Sequence, residues 1–155
     1  MIRVYFETTV FNSYLEEGRE YCAETKHLFN MISTGEVEAY TSAAVISEIL
    51  RSPELKREHM LKLITEYGMA VLEVEQSAYD LADTYVEVGL IPAKYRMDGV
   101  HIAVASVSGL DCIVSLNFRH INKLKTKTGT EVVNKFKGYD SLFICTPMEV
   151  TNYGK

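Results

Sequence analysis

Apolar residues in this chain fall into short β-rich runs separated by longer stretches with helical spacing. The first run is Ile2 to Phe6, which ends at the acidic Glu7 and reads as a buried parallel strand. Thr8 or Thr9 then caps a short helix through Leu15. Glu20 to Ser33 has Leu28, Phe29 and Ile32 on one helical face and stops at Gly35. Ala39 to Thr41 is a brief strand. Ser42 opens a helix from Ala43 to Leu50, which carries Glu48 among Val45, Ile46, Ile49 and Leu50. Ser52-Pro53 breaks that helix, because the residue before proline disfavours the α conformation. Glu54 to Tyr67 is a further helix, Met69 to Val74 a third strand, and Gln76 to Val88 a helix closed by Gly89.

The stretch Arg96 to Ile121, RMDGVHIAVASVSGLDCIVSLNFRHI, carries the most information. Val100, Ile102 and Val104 alternate with His101, Ala103 and Ala105, which by period alone would fit a strand. Its length, Asp98 as an N-cap type and Gly109 at a C′ position favour a helix instead. A parallel strand over Cys112–Leu116 also requires a crossover before it. Asn117 follows that strand, at the end where open α/β sheets place their sites. After Ile121 the chain turns polar and basic, with a last strand over Ser141 to Cys145. Strands alternating with helices predict a three-layer α/β domain around a central parallel sheet.

Length and composition narrow the class. At 155 residues, residues 1–155 are expected to form a single domain with a real core. No 18-residue apolar window is free of charge, so no membrane span is expected, and the N-terminus lacks the apolar region of a signal peptide. Cys22, Cys112 and Cys145 are an odd set without close spacing, which fits a reduced, cytoplasmic chain. The net charge of −5 argues against a nonspecific nucleic-acid binder but leaves room for a local basic patch. One exists: between Arg119 and Lys137, six basic residues stand against Glu131 alone. Lys/Thr alternation and Gly129 make that segment read as a mobile loop.

Four polar positions are candidates for chemistry: Glu7, Glu48, Asp98 and Asn117. Each also has a structural reading. Glu7 can serve the dipole of the next helix, Asp98 can be a cap, Asn117 a turn residue, and Glu48 an exposed helix edge. His101 reads as a hydrogen-bonded core histidine rather than a ligand, and Tyr5 and Tyr14 as packing residues. The sequence has no P-loop, no GxGxxG and no paired CxxC.

Taken together, the order and spacing of these motifs resemble the PIN-domain nucleases. VYFETTVFNSYL resembles that family's first motif, a strand ending in an acid followed by Thr or Ser. SAAVISEIL resembles the second, a helix bearing a glutamate. RMDGVHIAVASVSGLDCIVSLNFRHI resembles the third, and FICTP the closing strand. The resemblance runs from Ile2 to Pro147 and implies a three-layer α/β/α PIN-like domain. It further implies a Mg²⁺- or Mn²⁺-dependent endoribonuclease, with Glu7, Asp98 and Asn117 as inner metal ligands and Glu48 completing the site directly or through water. Hard cations of this kind take oxygen ligands. Two positions depart from the family pattern: Glu7 replaces the usual aspartate, and the neutral Asn117 replaces an acid. Family likeness also implies a toxin held silent by a small antitoxin protein, and a homodimer. Arg119, Lys123, Lys125 and Lys127 are the expected RNA contacts, leading the strand from the rim to the metals. The rival expectation is a non-catalytic PIN-like module that binds RNA or protein. A metal-dependent phosphatase on another α/β fold ranks last, since no nucleophilic-aspartate loop is present.

Overall fold

The computed structural model describes residues 1–153. Five strands form one parallel sheet: β1 (Ile2–Phe6), β2 (Val37–Ser42), β3 (Ala70–Leu72), β4 (Cys112–Val114) and β5 (Phe143–Cys145). Their spatial order is β3-β2-β1-β4-β5. Val4 pairs with Ala39 on one side of β1 and with Cys112 on the other. The chain therefore moves outward from β1 in one direction and then returns to build the other half. The topological switch point lies between β1 and β4, where ligands of open α/β sheets bind beyond the strand C-termini.

The helices are α1 (Thr8–Leu15), α2 (Cys22–Ser33), α3 (Ala43–Leu50), α4 (Glu54–Glu66), α5 (Gln76–Glu87), α6 (Arg96–Val107), α7 (Leu124–Phe136) and α8 (Pro147–Thr151), with a 3₁₀ turn at Ala93–Tyr95. Right-handed crossovers place α1 to α4 on one face of the sheet and α5 to α7 on the other. The contacts agree: α1 packs on α2 and α4, α5 packs on α6 and α7, and α8 closes against α2. This is the three-layer α/β/α architecture expected from the sequence. Among the described residues, no helix is long and apolar enough to cross a membrane.

Aromatic rings fill the first helical layer. Phe6 and Phe29 meet edge-on at 5.2 Å, and Phe11 and Phe29 at 5.9 Å. Tyr14 packs on Phe29 and Tyr67, as a packing residue should. Leu28 is fully buried, so its apolar face serves the core. On the other face α6 is buried on all sides from Gly99 to Ser106, which explains why its sequence shows no polar stripe.

Three local expectations change. Helix α6 begins at Arg96, directly after the 3₁₀ turn, so Asp98 lies inside its first turn and Tyr95 takes the N-cap position. The basic segment after Ile121 forms an ordered helix, α7, rather than a loop. Its inward residues are Thr126, Thr130 and Asn134, a polar face that hydrophobic periodicity does not detect. Gly129 lets it approach Leu90: a Cβ there would stand 2.0 Å from a Leu90 methyl. Finally, α8 follows Thr146, whose side chain and Glu149 form a reciprocal capping box with Pro147 at the helix start.

Candidate metal centre

Glu7 is delivered by the central strand. It follows the last residue of β1, caps α1 through its carboxylate, and is only 3% exposed. Its Oε1 accepts from the Ser115 hydroxyl at 2.6 Å and from the Thr9 hydroxyl at 2.6 Å. Oε2 accepts a longer bond, 3.3 Å, from the Thr9 backbone N–H. Glu7 thus does what the helix-dipole reading required of it, and Thr9 supports the carboxylate rather than capping the helix. Burial raises the Glu7 pKa, against the pull of His101 and the two hydroxyls.

Glu48 comes from α3, whose start is fixed by Ser42: that hydroxyl accepts from the Ala44 and Val45 N–H groups. The carboxylate points back over the sheet, where its Oε1 accepts from Thr8 at 2.7 Å and contacts His101 Nε2 at 2.5 Å. Burial works to raise its pKa, but the hydrogen bond and charge of His101, with Thr8, outweigh it and hold the group low. His101 is fully buried on α6. Its Nδ1 lies 2.7 Å from the Tyr5 hydroxyl, which in turn lies 2.7 Å from Ser42 Oγ. Desolvation alone would lower the His101 pKa; Glu48 reverses the direction and raises it. One ligand-capable atom from each of Glu7, Glu48 and His101 lies within 4.8 Å of the others.

Asp98 projects from the first turn of α6 toward the same edge. His120 Nδ1 lies 3.0 Å from its Oδ2, and the His120 ring stacks on Tyr95 at 4.1 Å. Burial raises the Asp98 pKa, opposed by His101, by His120 and by the Asn117 side chain beside it. Glu48 adds to the rise, so Asp98 shares the electrostatic neighbourhood of the Glu7–Glu48 pair. Asn117 does more than turn the chain. Its Oδ1 accepts from the Arg119 and His120 N–H groups at 3.2 and 3.0 Å, and its own N–H donates to Ser115 Oγ at 3.0 Å. That side-chain oxygen is therefore already committed to the turn that presents His120 to Asp98.

The four candidate residues converge on one edge, from β1, α3, α6 and the loop after β4. Sequence reasoning missed the polar frame around them: Tyr5 and Ser42 in the strands, Ser115 just after β4, and His120 beside Asp98. Tyr5 was legible as a packing residue, and its hydroxyl adds a role that apolar patterning cannot reveal. His120 lies three residues after Asn117, so its proximity to the site could have been read from that spacing.

A metal fits this donor set. Burial, with a smaller push from the Glu48 charge, raises the pKa values of Glu7 and Asp98, and a cation would offset both effects. No hydrogen bond to Glu48 Oε2 is found among the described residues, and Glu7 Oε2 holds only the long contact from Thr9. Oxygens therefore remain for a hard cation.

The sequence matches no protein-family model and no curated protein. Solved structures do match it. One is VapBC2 from Rickettsia felis bound to a DNA fragment from their promoter, with a TM-score of 0.59 and 12% identity over 94% of this chain and 98% of that one. Another is VapC20 of Mycobacterium tuberculosis, a Sarcin-Ricin loop cleaving toxin, with a TM-score of 0.54 and 11% identity over 89% of this chain and 97% of that one. The chain has a PIN-like fold. At these identities the likeness is one of fold, and it covers nearly the whole of both PIN-like relatives.

Proposed function

We propose that this PIN-like protein is a Mg²⁺- or Mn²⁺-dependent endoribonuclease that hydrolyses RNA phosphodiester bonds and acts as the toxin of a toxin–antitoxin pair. The observation that carries the reading is the buried Glu7 and the half-buried Glu48, whose carboxylates meet at the switch point of the sheet with Asp98 beside them. Glu7, Glu48 and Asp98 would hold the cation. Asn117 joins them through the turn it shapes, since its Oδ1 is already occupied. A divalent ion bound there supplies Lewis-acid stabilisation of a phosphoryl oxygen and a water of lowered pKa.

The protein's own residues prepare for this. Ser115 and Thr9 fix the Glu7 carboxylate, while Thr8 and His101 fix Glu48. His120 and Tyr95 orient Asp98. Arg119, Lys123, Lys125 and Lys127 supply positive charge at the rim, where phosphate neutralisation releases counterions. The likeness to VapC20, itself a cleaving toxin, supports the toxin reading, and the likeness to VapBC2 supports a small protein antitoxin as partner. A homodimer and a cytoplasmic setting belong to the same proposal, as does one domain over the whole chain.

The test is cleavage of a mixed-sequence RNA with and without Mn²⁺, paired with thermal unfolding. Metal-dependent cleavage accompanied by metal-dependent stabilisation is expected. If Mn²⁺ produces neither, the protein is a non-catalytic PIN-like module.

A further inference from the structure

Beside the metal centre lies a second hollow, of about 370 Å³, lined by Thr9, Asn12, Arg19, Tyr21, Leu116 and Phe118 among others. That volume lies within the range of about 300–1,000 Å³ usual for small-ligand sites. Resting on the ribonuclease reading above, we propose that this hollow is a nucleobase subsite, which seats one base of the RNA strand next to the cleaved phosphate.

Three independent features support it. The first is position. Thr9 Oγ1 accepts from the Leu116 N–H at 2.8 Å on the hollow's side and donates to Glu7 on the other. One residue therefore forms both the wall of the hollow and the support of the metal centre. A phosphate at the carboxylates leaves its neighbouring base within reach of the hollow.

The second feature is aromatic. Tyr21 and Phe118 stand with ring centroids 5.6 Å apart and tilted by 43°. They come from separate elements, Tyr21 from the start of α2 and Phe118 from the loop after β4. Phe118 is 43% exposed, one residue beyond Asn117. The rings are too close to sandwich a base, so they form one wall on which a base stacks. Stacking on such rings tolerates any base, whereas the polar rim of Asn12, Glu16, Arg19 and Glu20 offers donors and acceptors to a base edge.

The third feature is strain. Tyr21 has φ +72°, the one non-glycine residue with positive φ among the described residues. The left-handed region is unfavourable for a bulky residue, and such outliers cluster at ligand sites. No side-chain cap hydrogen bond offsets it at the start of α2. The conformation turns the Tyr21 ring toward Phe118 and over the hollow, where glycine would have satisfied the backbone alone.

The experiment is a cycle between protein and RNA. An abasic nucleotide is scanned across the positions flanking the cut in a short oligoribonucleotide. Each substrate is cleaved with Mn²⁺ by wild type, Phe118→Leu and Tyr21→Gly. At one flanking position the abasic substitution should lower wild-type kcat/KM by on the order of tenfold. In Phe118→Leu that loss should shrink below about twofold, because the stacking partner is already gone. Tyr21→Gly should show the same coupling while its melting temperature stays at or above that of wild type, since glycine relieves the left-handed strain. Equal abasic penalties in wild type and both variants would overturn the subsite and leave the nuclease reading standing. Failure of the wild type to cleave any of the oligoribonucleotides with Mn²⁺ would overturn the nuclease reading itself.

Discussion

The Tyr5 hydroxyl lies 2.7 Å from His101 Nδ1, joining the central strand to the most buried helix directly behind the Glu7–Glu48 pair. With His101 protonated, both ring nitrogens donate, Nε2 to Glu48 and Nδ1 to Tyr5, whose hydroxyl in turn donates to Ser42 Oγ. The chain of bonds thus runs from the cap of α3 through β1 and α6 back to the carboxylate on α3. It rigidifies Glu48 without a metal present.

Tyr5→Phe should expose how much that frame contributes. The ring and its packing remain, but a buried imidazole N–H loses its acceptor. A loss of about 1–3 kcal/mol is expected for an orphaned buried polar group. Urea unfolding measures it, and an unchanged midpoint would mean that the hydroxyl carries no structural load.

Asp98→Asn should keep the fold and lose the chemistry. Asn retains an oxygen for His120 Nδ1, now 3.0 Å from Asp98 Oδ2. It removes one of the three negative charges assigned to the cation. A fall in Mn²⁺-dependent cleavage on the order of 100-fold or more is expected, several kcal/mol being typical of metal-assisted charge stabilisation. Wild-type cleavage at saturating Mn²⁺ would remove Asp98 from the machinery.

Glu7→Gln tests the buried acid that follows β1. Gln keeps an oxygen for the Ser115 and Thr9 hydroxyls, so the frame should persist. Mn²⁺ affinity by calorimetry should fall, and the thermal stabilisation conferred by a given Mn²⁺ concentration should fall with it. Glu7→Asp should retain part of the affinity. Identical Mn²⁺ binding by wild type and Glu7→Gln would make Glu7 a helix cap only.

What could be read from the chain follows from which forces leave a periodic mark. Strands β1 and β4 were legible because Val4–Phe6 and Cys112–Val114 are buried on both faces and carry continuous apolar runs. Helix α7 was not, because its inner face is polar, Thr126, Thr130 and Asn134, and two of these three are held by hydrogen bonds. Thr126 donates to the His120 carbonyl, and Asn134 bonds Tyr85 and Ser106. Such a face spaces polar residues by four and resembles a solvated loop in sequence. The same holds at the site. Glu7 and Glu48 stood out as acids at a strand end and within an apolar helix, whereas the partners that set their charge come from residues as distant as 108 positions.

The ordered α7 sharpens the expectation for RNA binding. Lys123 takes the N-cap position of α7 in an extended conformation, one turn before Lys127, while Lys125 lies within the helix and points to a different face from Lys127. A loop would have allowed all three to follow one strand. Combined Lys123→Ala/Lys125→Ala/Lys127→Ala should weaken RNA binding and leave Mn²⁺ affinity nearly intact. Each lysine in phosphate contact contributes roughly 0.7 to the log–log salt slope of a single strand. Lys123→Ala/Lys127→Ala should therefore flatten the slope by about 1.4 if both contact phosphate. Lys125→Ala alone should flatten it less than that pair does. Fluorescence anisotropy across a salt series measures all three proteins. An unaltered slope in the triple variant would move the RNA path off α7, toward Lys56 and Arg57 on α4.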